Sequence, residues 1–122
     1  MDFNFASGDK ARIIQEIVPG KQITLAHIIA NPDPVLYYKL GLDPAEDHCG
    51  AIGIMTLSPS ETAIIAGDVA IKASGVTLGF VDRFSGTVIV TGSVSQVEAA
   101  LLSVVDYAKS KLGFDVCEMT RT

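Results

Sequence analysis

Short blocks of apolar residues, several rich in valine and isoleucine, recur along this 122-residue chain and are separated by glycine, proline and serine. Blocks of this length and composition are typical of β-strands. Five are recognisable, at 12–18 (RIIQEIV), 51–57 (AIGIMTL), 76–83 (VTLGFVDR), 87–92 (TVIVTG) and 114–120 (FDVCEMT). The sequence therefore predicts five strands, and the third and fourth are close enough to form a hairpin.

Helical signals lie between these blocks in the first half of the chain. Thr24 is a candidate N-cap for a helix over 25–30. The dipeptide Asp33-Pro34 predicts a second, short helix that ends at Gly41. The polar segment 43–49 predicts a loop.

Two longer helices are predicted in the second half. The tetrapeptide Ser-Pro-Ser-Glu at 58–61 has the form of a capping box, and the helix that it opens is expected to end near Lys72. Ser93, with Gln96 three residues later, predicts the start of the last helix, which ends at Gly113. The apolar side of that helix is expected to consist of Leu101, Leu102, Val104, Val105, Ala108 and Leu112.

From residue 50 onward the predicted order of elements is β-α-β-β-α-β. This order is the split-βαβ pattern of ferredoxin-like folds, an α/β (α+β) arrangement in which an antiparallel sheet carries both helices on one face. Residues 12–122 are expected to form a single domain after a flexible N-terminal segment, 1–11. The residues before position 50 fall outside the pattern and are expected to pack elsewhere.

The composition indicates an oligomer. Hydrophobic residues make up 48% of the chain and charged residues only 19%, which is a low charge content for a small domain with much surface to cover. A membrane protein is the other reading of this excess, but no apolar run reaches the roughly 18 residues that a spanning helix needs. The N-terminus lacks the pattern of a secretory signal, so the chain is expected to be cytosolic.

Charge and candidate chemistry exclude several classes of function. The net charge is −5 without a basic cluster, which argues against a nucleic-acid partner. Asp82 and Arg83 are neighbours in a predicted strand, so their side chains are expected to point to opposite faces. No histidine lies near Ser85 in the sequence, and a nucleophilic site is not indicated. The Gly92-Ser93 junction lacks the glycine spacing of a dinucleotide-binding loop.

Histidines and cysteines add little. His27 is expected to be a hydrogen-bonded helix residue, and Cys117 a small core residue. His48 and Cys49 are adjacent in a polar loop and could bind a metal, but further ligands are missing from the pattern. The sequence therefore predicts no catalytic residues, no metal and no cofactor.

Two long segments carry a family resemblance. These are GAIGIMTLSPSETAIIAGDVA at 50–70 and IKASGVTLGFVDRFSGTVIVTGSVSQVEAAL at 71–101. They resemble the BMC domain of bacterial microcompartment shell proteins. The segment IIQEIVPGKQITLAHIIANP and the ending CEMTRT are similar to the circularly permuted type found in ethanolamine-, propanediol- and choline-utilisation shells.

The resemblance implies a structural protein without enzymatic activity, located in a microcompartment shell in the cytoplasm. Its expected partners are a homo-hexamer of itself, other shell proteins, and an encapsulated enzyme or its targeting peptide; neither nucleic acid nor membrane is expected. The residues implied to line the pore on the six-fold axis are Arg83, Phe84, Ser85 and Gly86. Lys72 is implied to lie at the hexamer edge, against its two-fold mate.

The resemblance also implies that the N-terminal strand forms a β-barrel over the pore with its copies. The barrel residues are Arg12, Ile13, Ile14, Gln15, Glu16, Ile17 and Val18. Both faces of this strand are mostly apolar, and closing copies into a barrel removes the exposed strand edges. Non-permuted members have a glycine-rich turn at the pore where this chain has the bulky Phe84, so we expect a closed pore. The alternative is a small-molecule-binding regulatory or enzymatic domain on the same ferredoxin-like fold.

Overall fold

The protein is described by a computed structural model that covers residues 21–42 and 50–122. The elements in chain order are strand β1 (Gln22–Ala30), helix α1 (Pro34–Leu40), strand β2 (Gly50–Ser58), helix α2 (Thr62–Ala73), strand β3 (Thr77–Asp82), strand β4 (Thr87–Ser93), helix α3 (Val94–Lys111) and strand β5 (Thr120–Arg121). The strands form one sheet in the order β3-β4-β2-β1-β5. The predicted α/β fold class is thereby confirmed.

The helix predicted over 25–30 is wrong, because this segment is part of β1. It pairs antiparallel with β2 from Gln22 opposite Ser58 to Ala30 opposite Ala51, with a bulge near Thr24. Backbone hydrogen bonds to β2 therefore decide its conformation, since a short apolar run is compatible with either a helix or a strand. Residues 22–30, which precede the predicted pattern, consequently lie within the sheet rather than apart from it.

The C-terminal strand is shorter than predicted and lies on the outside of β1. Of the predicted segment 114–120, only Thr120 belongs to β5, and an isolated bridge joins Asp115 to Gln22. In the ferredoxin-like pattern the last strand pairs with the first strand of the split-βαβ unit. Here β1 occupies that position, so a segment that precedes the unit replaces one that follows it.

The two long helices pack on the same face of the sheet, as predicted. The core between them and the sheet contains the buried residues Ile28, Met55, Ala66, Val90, Val97 and Leu101 among others. On the opposite face, Tyr37 and Leu42 pack against Ile52 of β2 and form a second, smaller cluster. Helix α1 and Leu42, two residues beyond its end, therefore cover part of the face that the long helices leave open.

Local signals at three helix termini identify the helices as predicted. Asp33 accepts a hydrogen bond from the Val35 N–H (3.0 Å), and Gly41 ends α1 with a left-handed backbone (φ 70°). Both halves of the capping box at α3 are present between Ser93 and Gln96.

The capping box predicted at 58–61 is wrong. Ser58 is the last residue of β2, and α2 begins at Thr62 without a side-chain cap. The intervening turn is closed instead by the backbone N–H of Thr62, which donates to the Pro59 carbonyl (3.0 Å). Ser58 therefore continues the pairing of β2 with β1 and is not available to cap α2.

Two glycine substitutions should separate close packing from helix propensity. A Cβ at Gly53 would lie 2.7 Å from side-chain atoms of Leu101 and Val97, so Gly53→Ala should lower the free energy of unfolding by about 1–3 kcal/mol. A Cβ at Gly67, inside α2, meets nothing nearer than Leu78 at 3.6 Å, so Gly67→Ala should raise it by up to about 1 kcal/mol. Chemical denaturation measures both changes, and effects of equal sign would contradict this packing.

Candidate functional site

The turn between β3 and β4 is built around the carboxylate of Asp82. The backbone N–H of Phe84 donates to Asp82 Oδ1 (2.9 Å), and the Ser85 hydroxyl donates to Asp82 Oδ2 (2.8 Å). The Oγ1 of Thr87 lies 3.0 Å from the same Ser85 hydroxyl. One acidic side chain thus organises the residues that connect the two strands.

Hydrogen bonds to the charged form lower the pKa of Asp82 below its ordinary value, those from Phe84 and Ser85 being the main causes. A depressed pKa in the folded state means that these bonds stabilise the turn above the ordinary carboxyl pKa. This contribution is lost as the pH falls through the lower, folded value.

An NMR titration of the side-chain carboxyl of Asp82 should therefore give a midpoint below that of an ordinary aspartate. Ser85→Ala removes one of the two donors and should move the midpoint back toward the ordinary value. A midpoint at or above the ordinary value in the unmodified protein would contradict the geometry of this turn.

Gly86 fixes the turn against the end of β2. Its backbone N–H donates to the Asp82 carbonyl (2.9 Å), and its own carbonyl accepts from the Leu57 N–H (2.8 Å). Its φ is 75°, a conformation that favours glycine, and a Cβ would overlap the carbonyl oxygen of Leu57. The turn is consequently a rigid extension of the sheet.

Arg83 and Phe84 form the outer surface of the turn. The Phe84 side chain is 80% exposed, and the Arg83 guanidinium lies 5.0 Å from the centre of its ring, within the range of a cation–π contact. The Asp82 carboxylate is held inside the turn, whereas the neighbouring guanidinium is directed to the ring. The two charged groups therefore have separate partners. Arg83 lies in the turn rather than in β3, so the predicted alternation of neighbouring side chains along a strand does not apply to this pair.

Lys72 lies in the last turn of α2 and is paired within its own helix. Its Nζ is 2.9 Å from Oδ2 of Asp68, one helical turn earlier, and the two side chains are 74% and 58% exposed. The family resemblance points to Lys72 but not to Asp68. The i, i+4 spacing of an acid before a base was the signal that could have found it.

The remaining candidates do not form a chemical site in the described residues. His27 lies in β1, and its two ring nitrogens are 2.6 Å from Thr120 Oγ1 and 3.0 Å from Thr122 Oγ1. It therefore holds the C-terminal strand, and its prediction as a helix residue is wrong. Cys117 is a half-buried free thiol beside the main core.

Residues 21–42 and 50–122 contain neither a metal-binding group of side chains nor a membrane-spanning helix. There, no three His, Cys, Asp or Glu side chains come together in a group that could hold a metal ion. No helix of these ranges is both long enough and apolar enough to cross a membrane. His48, Cys49 and the predicted barrel residues at 12–18 lie outside the described residues.

The chain enters the sheet at the same end as the turn. Gln22, the first residue of β1, pairs with Ser58, and the neighbouring Leu57 is hydrogen-bonded to Gly86. Lys21, which precedes β1, therefore lies at the end of the sheet that carries Arg83 and Phe84.

Comparison with known proteins identifies the family. The family model described as the BMC domain matches residues 51–120. The chain belongs to the BMC-domain family. The match spans α2, the β3–β4 turn and α3, so that both the turn and Lys72 lie within it.

Two relatives that match most of this chain are both described as bacterial microcompartment shell proteins. This chain is 55% identical to the shell protein EutS of Escherichia coli strain K12, over 93% of this chain and 99% of the relative. It is 53% identical to the shell protein PduU of Salmonella typhimurium strain LT2, over 91% and 93%. A solved flat hexamer of CutR is similar in structure, with a TM-score of 0.78, 50% identity and coverage of 91% and 99%.

Proposed function

We propose that this chain is a structural shell protein of a bacterial microcompartment and that it assembles as a homo-hexamer together with other shell proteins. The observation that carries the proposal is an identity of 50–55% to named shell proteins along almost the whole chain. The apolar composition supports it, because a hexamer buries surface that a monomer would expose.

In this assembly, Arg83, Phe84, Ser85 and Gly86 line the six-fold axis. Two features of the turn support the assignment. It projects from the sheet with the Phe84 ring exposed, and it is held rigidly by Asp82 and by the Leu57 backbone. Around an axis, six such turns would present a collar of aromatic rings, each with a guanidinium beside it. The bulk of this collar favours a closed pore rather than an open metabolite channel.

The N-terminal strand, residues 12–18, forms a β-barrel with its copies over this pore. Support comes from the position of Gln22, which begins β1 at the end of the sheet where the turn lies. A circularly permuted domain is supported by the strand order, because β1 takes the place beside β2 that the last strand holds in the ferredoxin-like pattern. A structure of the assembled oligomer tests the barrel, and an open channel past Ser85 with residues 12–18 elsewhere would contradict it.

The chain acts without catalysis and without a cofactor. The polar groups of the turn are used in hydrogen bonds that shape it, and those of His27 bind the C-terminal strand. Within residues 21–42 and 50–122, no observation favours the alternative of a regulatory or enzymatic domain. Turnover of aldehydes or alcohols by the purified protein would overturn this part of the proposal.

Native mass spectrometry tests the assembly directly. We expect the mass of six chains at micromolar concentration, because a subunit of this composition needs partners to cover its apolar surface. A stable monomer at that concentration would contradict the proposal. A dimer or trimer would favour the regulatory alternative.

Lys72 is proposed to lie at the edge between hexamers, and Lys72→Ala tests this role. The exposed ion pair contributes little to folding, so the hexamer should persist in native mass spectrometry while electron microscopy shows few or no sheets. Lys109→Ala is the matched control, since Lys109 also lies in the last turn of a helix. Normal sheets with Lys72→Ala would remove the edge role and leave only the intrahelical pair.

A further inference from the structure

One side of α2 combines an exposed ion pair with exposed isoleucines. Ile64, Asp68, Ile71 and Lys72 follow one another at helical spacing, so they share one face of the helix. Ile64 and Ile71 are 54% and 45% exposed, and they flank the pair between Asp68 and Lys72. Such a solvated pair adds little to the stability of the subunit.

The proposed edge contact creates an electrostatic problem at this face. In a two-fold contact each residue near the axis meets its own copy, so Lys72 would bring two positive charges together. Exclusion of water from the contact strengthens their repulsion, because the charges are then less screened. A negative charge beside each lysine would offset this repulsion.

We propose that Asp68 is the counter-ion that allows Lys72 of one hexamer to approach Lys72 of a neighbouring hexamer. This inference rests on the proposed function, specifically on Lys72 as the edge residue. Asp68 already holds the ammonium group at 2.9 Å, so each subunit brings a neutral pair to the contact. Asp68 is thus a positioning and charge-compensating residue of the assembly.

The occupant of this face is a second copy of the same chain. Each face carries one acid and one base, so two copies related by a two-fold axis are complementary in charge to each other. The flanking Ile64 and Ile71 supply apolar surface that such a contact covers. A partner surface with charges of a single sign would instead place a like charge opposite either Asp68 or Lys72.

The test compares Asp68→Asn with two matched variants. Asp68→Asn leaves Lys72 charged and uncompensated, and should raise the protein concentration at which sheets form by about tenfold or more at low salt. Asp68→Glu keeps the charge and should stay within about twofold of the unmodified protein. Asp106→Asn makes the same change in net charge on α3, away from the pair, and should also have little effect. Native mass spectrometry verifies that each variant is hexameric.

A double-mutant cycle and a salt series identify the cause. In a Lys72→Gln background, compared at protein concentrations raised until this variant forms sheets, Asp68→Asn should have no additional effect, because the charge that needs compensation is gone. Raising the salt to about 1 M, where the screening length falls to about 3 Å, should bring Asp68→Asn close to the unmodified protein measured in the same salt. Loss of Lys72 itself should not be relieved by salt.

The outcomes separate this inference from the function on which it rests. If Lys72→Ala forms normal sheets, the edge role fails and the inference fails with it. If Lys72→Ala is defective while Asp68→Asn is normal, the edge role stands and the counter-ion role is wrong. A defect of Asp68→Asn that persists at high salt or in the Lys72→Gln background also overturns the counter-ion role, because it would show a contact independent of the lysine charge.

Discussion

Gly86→Ala is expected to destabilise the protein by about 3 kcal/mol or more, measured as the free energy of unfolding. Two costs add together at this position. An L-residue at a φ of 75° is strained, and its Cβ would overlap the carbonyl of Leu57. The turn would have to move away from β2 and lose the hydrogen bond between Leu57 and Gly86. In the assembly, such a shift displaces Phe84 and the other proposed pore residues.

Gly113→Ala is the matched control for this change. Gly113 has nearly the same backbone conformation, with φ of 70°, but a Cβ there meets nothing within 4 Å. The substitution carries the backbone strain alone and should cost about 1 kcal/mol. Equal losses in the free energy of unfolding for Gly86→Ala and Gly113→Ala would show that the turn moves away from Leu57 without a cost. That result would contradict a rigid turn.

Leu101→Ala is expected to have the second large effect, a loss of about 2–5 kcal/mol. Leu101 is 1% exposed and packs from α3 onto the sheet, where Gly53 gives it room. Removing the side chain leaves a cavity that the close-packed sheet and α2 cannot fill. Chemical denaturation at a fixed protein concentration measures the loss.

The adjacent Leu102 provides a control within the same helix. It is 48% exposed in the subunit, so Leu102→Ala should cost less than about 1 kcal/mol. A loss as large as that at Leu101, and dependent on protein concentration, would contradict this expectation and would show that another copy covers Leu102.

Local sequence signals were sufficient where the stabilising contacts are local. The N-cap at Asp33, the glycine that ends α1 and the capping box between Ser93 and Gln96 all join residues a few positions apart. Their hydrogen bonds do not depend on the rest of the fold, so the residue types alone predict them. The hairpin of β3 and β4 was predictable for the same reason.

Signals of the same kind failed where distant partners compete. Thr24 could have capped a helix, and Ser58 could have capped α2. Instead, Thr24 lies in β1 and Ser58 in β2, and these two strands pair with each other. The ladder between β1 and β2 satisfies the backbone groups of the whole segment at once. A single cap satisfies only one donor, so the ladder prevails.

The sequence singled out candidate residues, but it did not show how the turn between β3 and β4 is built. The family resemblance pointed to the candidate residues Lys72, Arg83, Phe84, Ser85 and Gly86. That resemblance does not reveal that Asp82 organises the turn or that the carbonyl of Leu57 requires glycine at position 86. Both facts depend on atoms that approach only in the folded chain.

The sequence by itself determined the family, the apolar excess that indicates an oligomer, and the helices and hairpin whose contacts lie within a few residues. The tertiary structure decided that residues 22–30 form a strand beside β2, which side of α3 is buried, and how the turn is anchored. The physical reason is the range of the interactions. Caps and tight turns are stabilised by neighbours along the chain, whereas strand pairing, burial and the space at a glycine are set by residues that only the fold brings together.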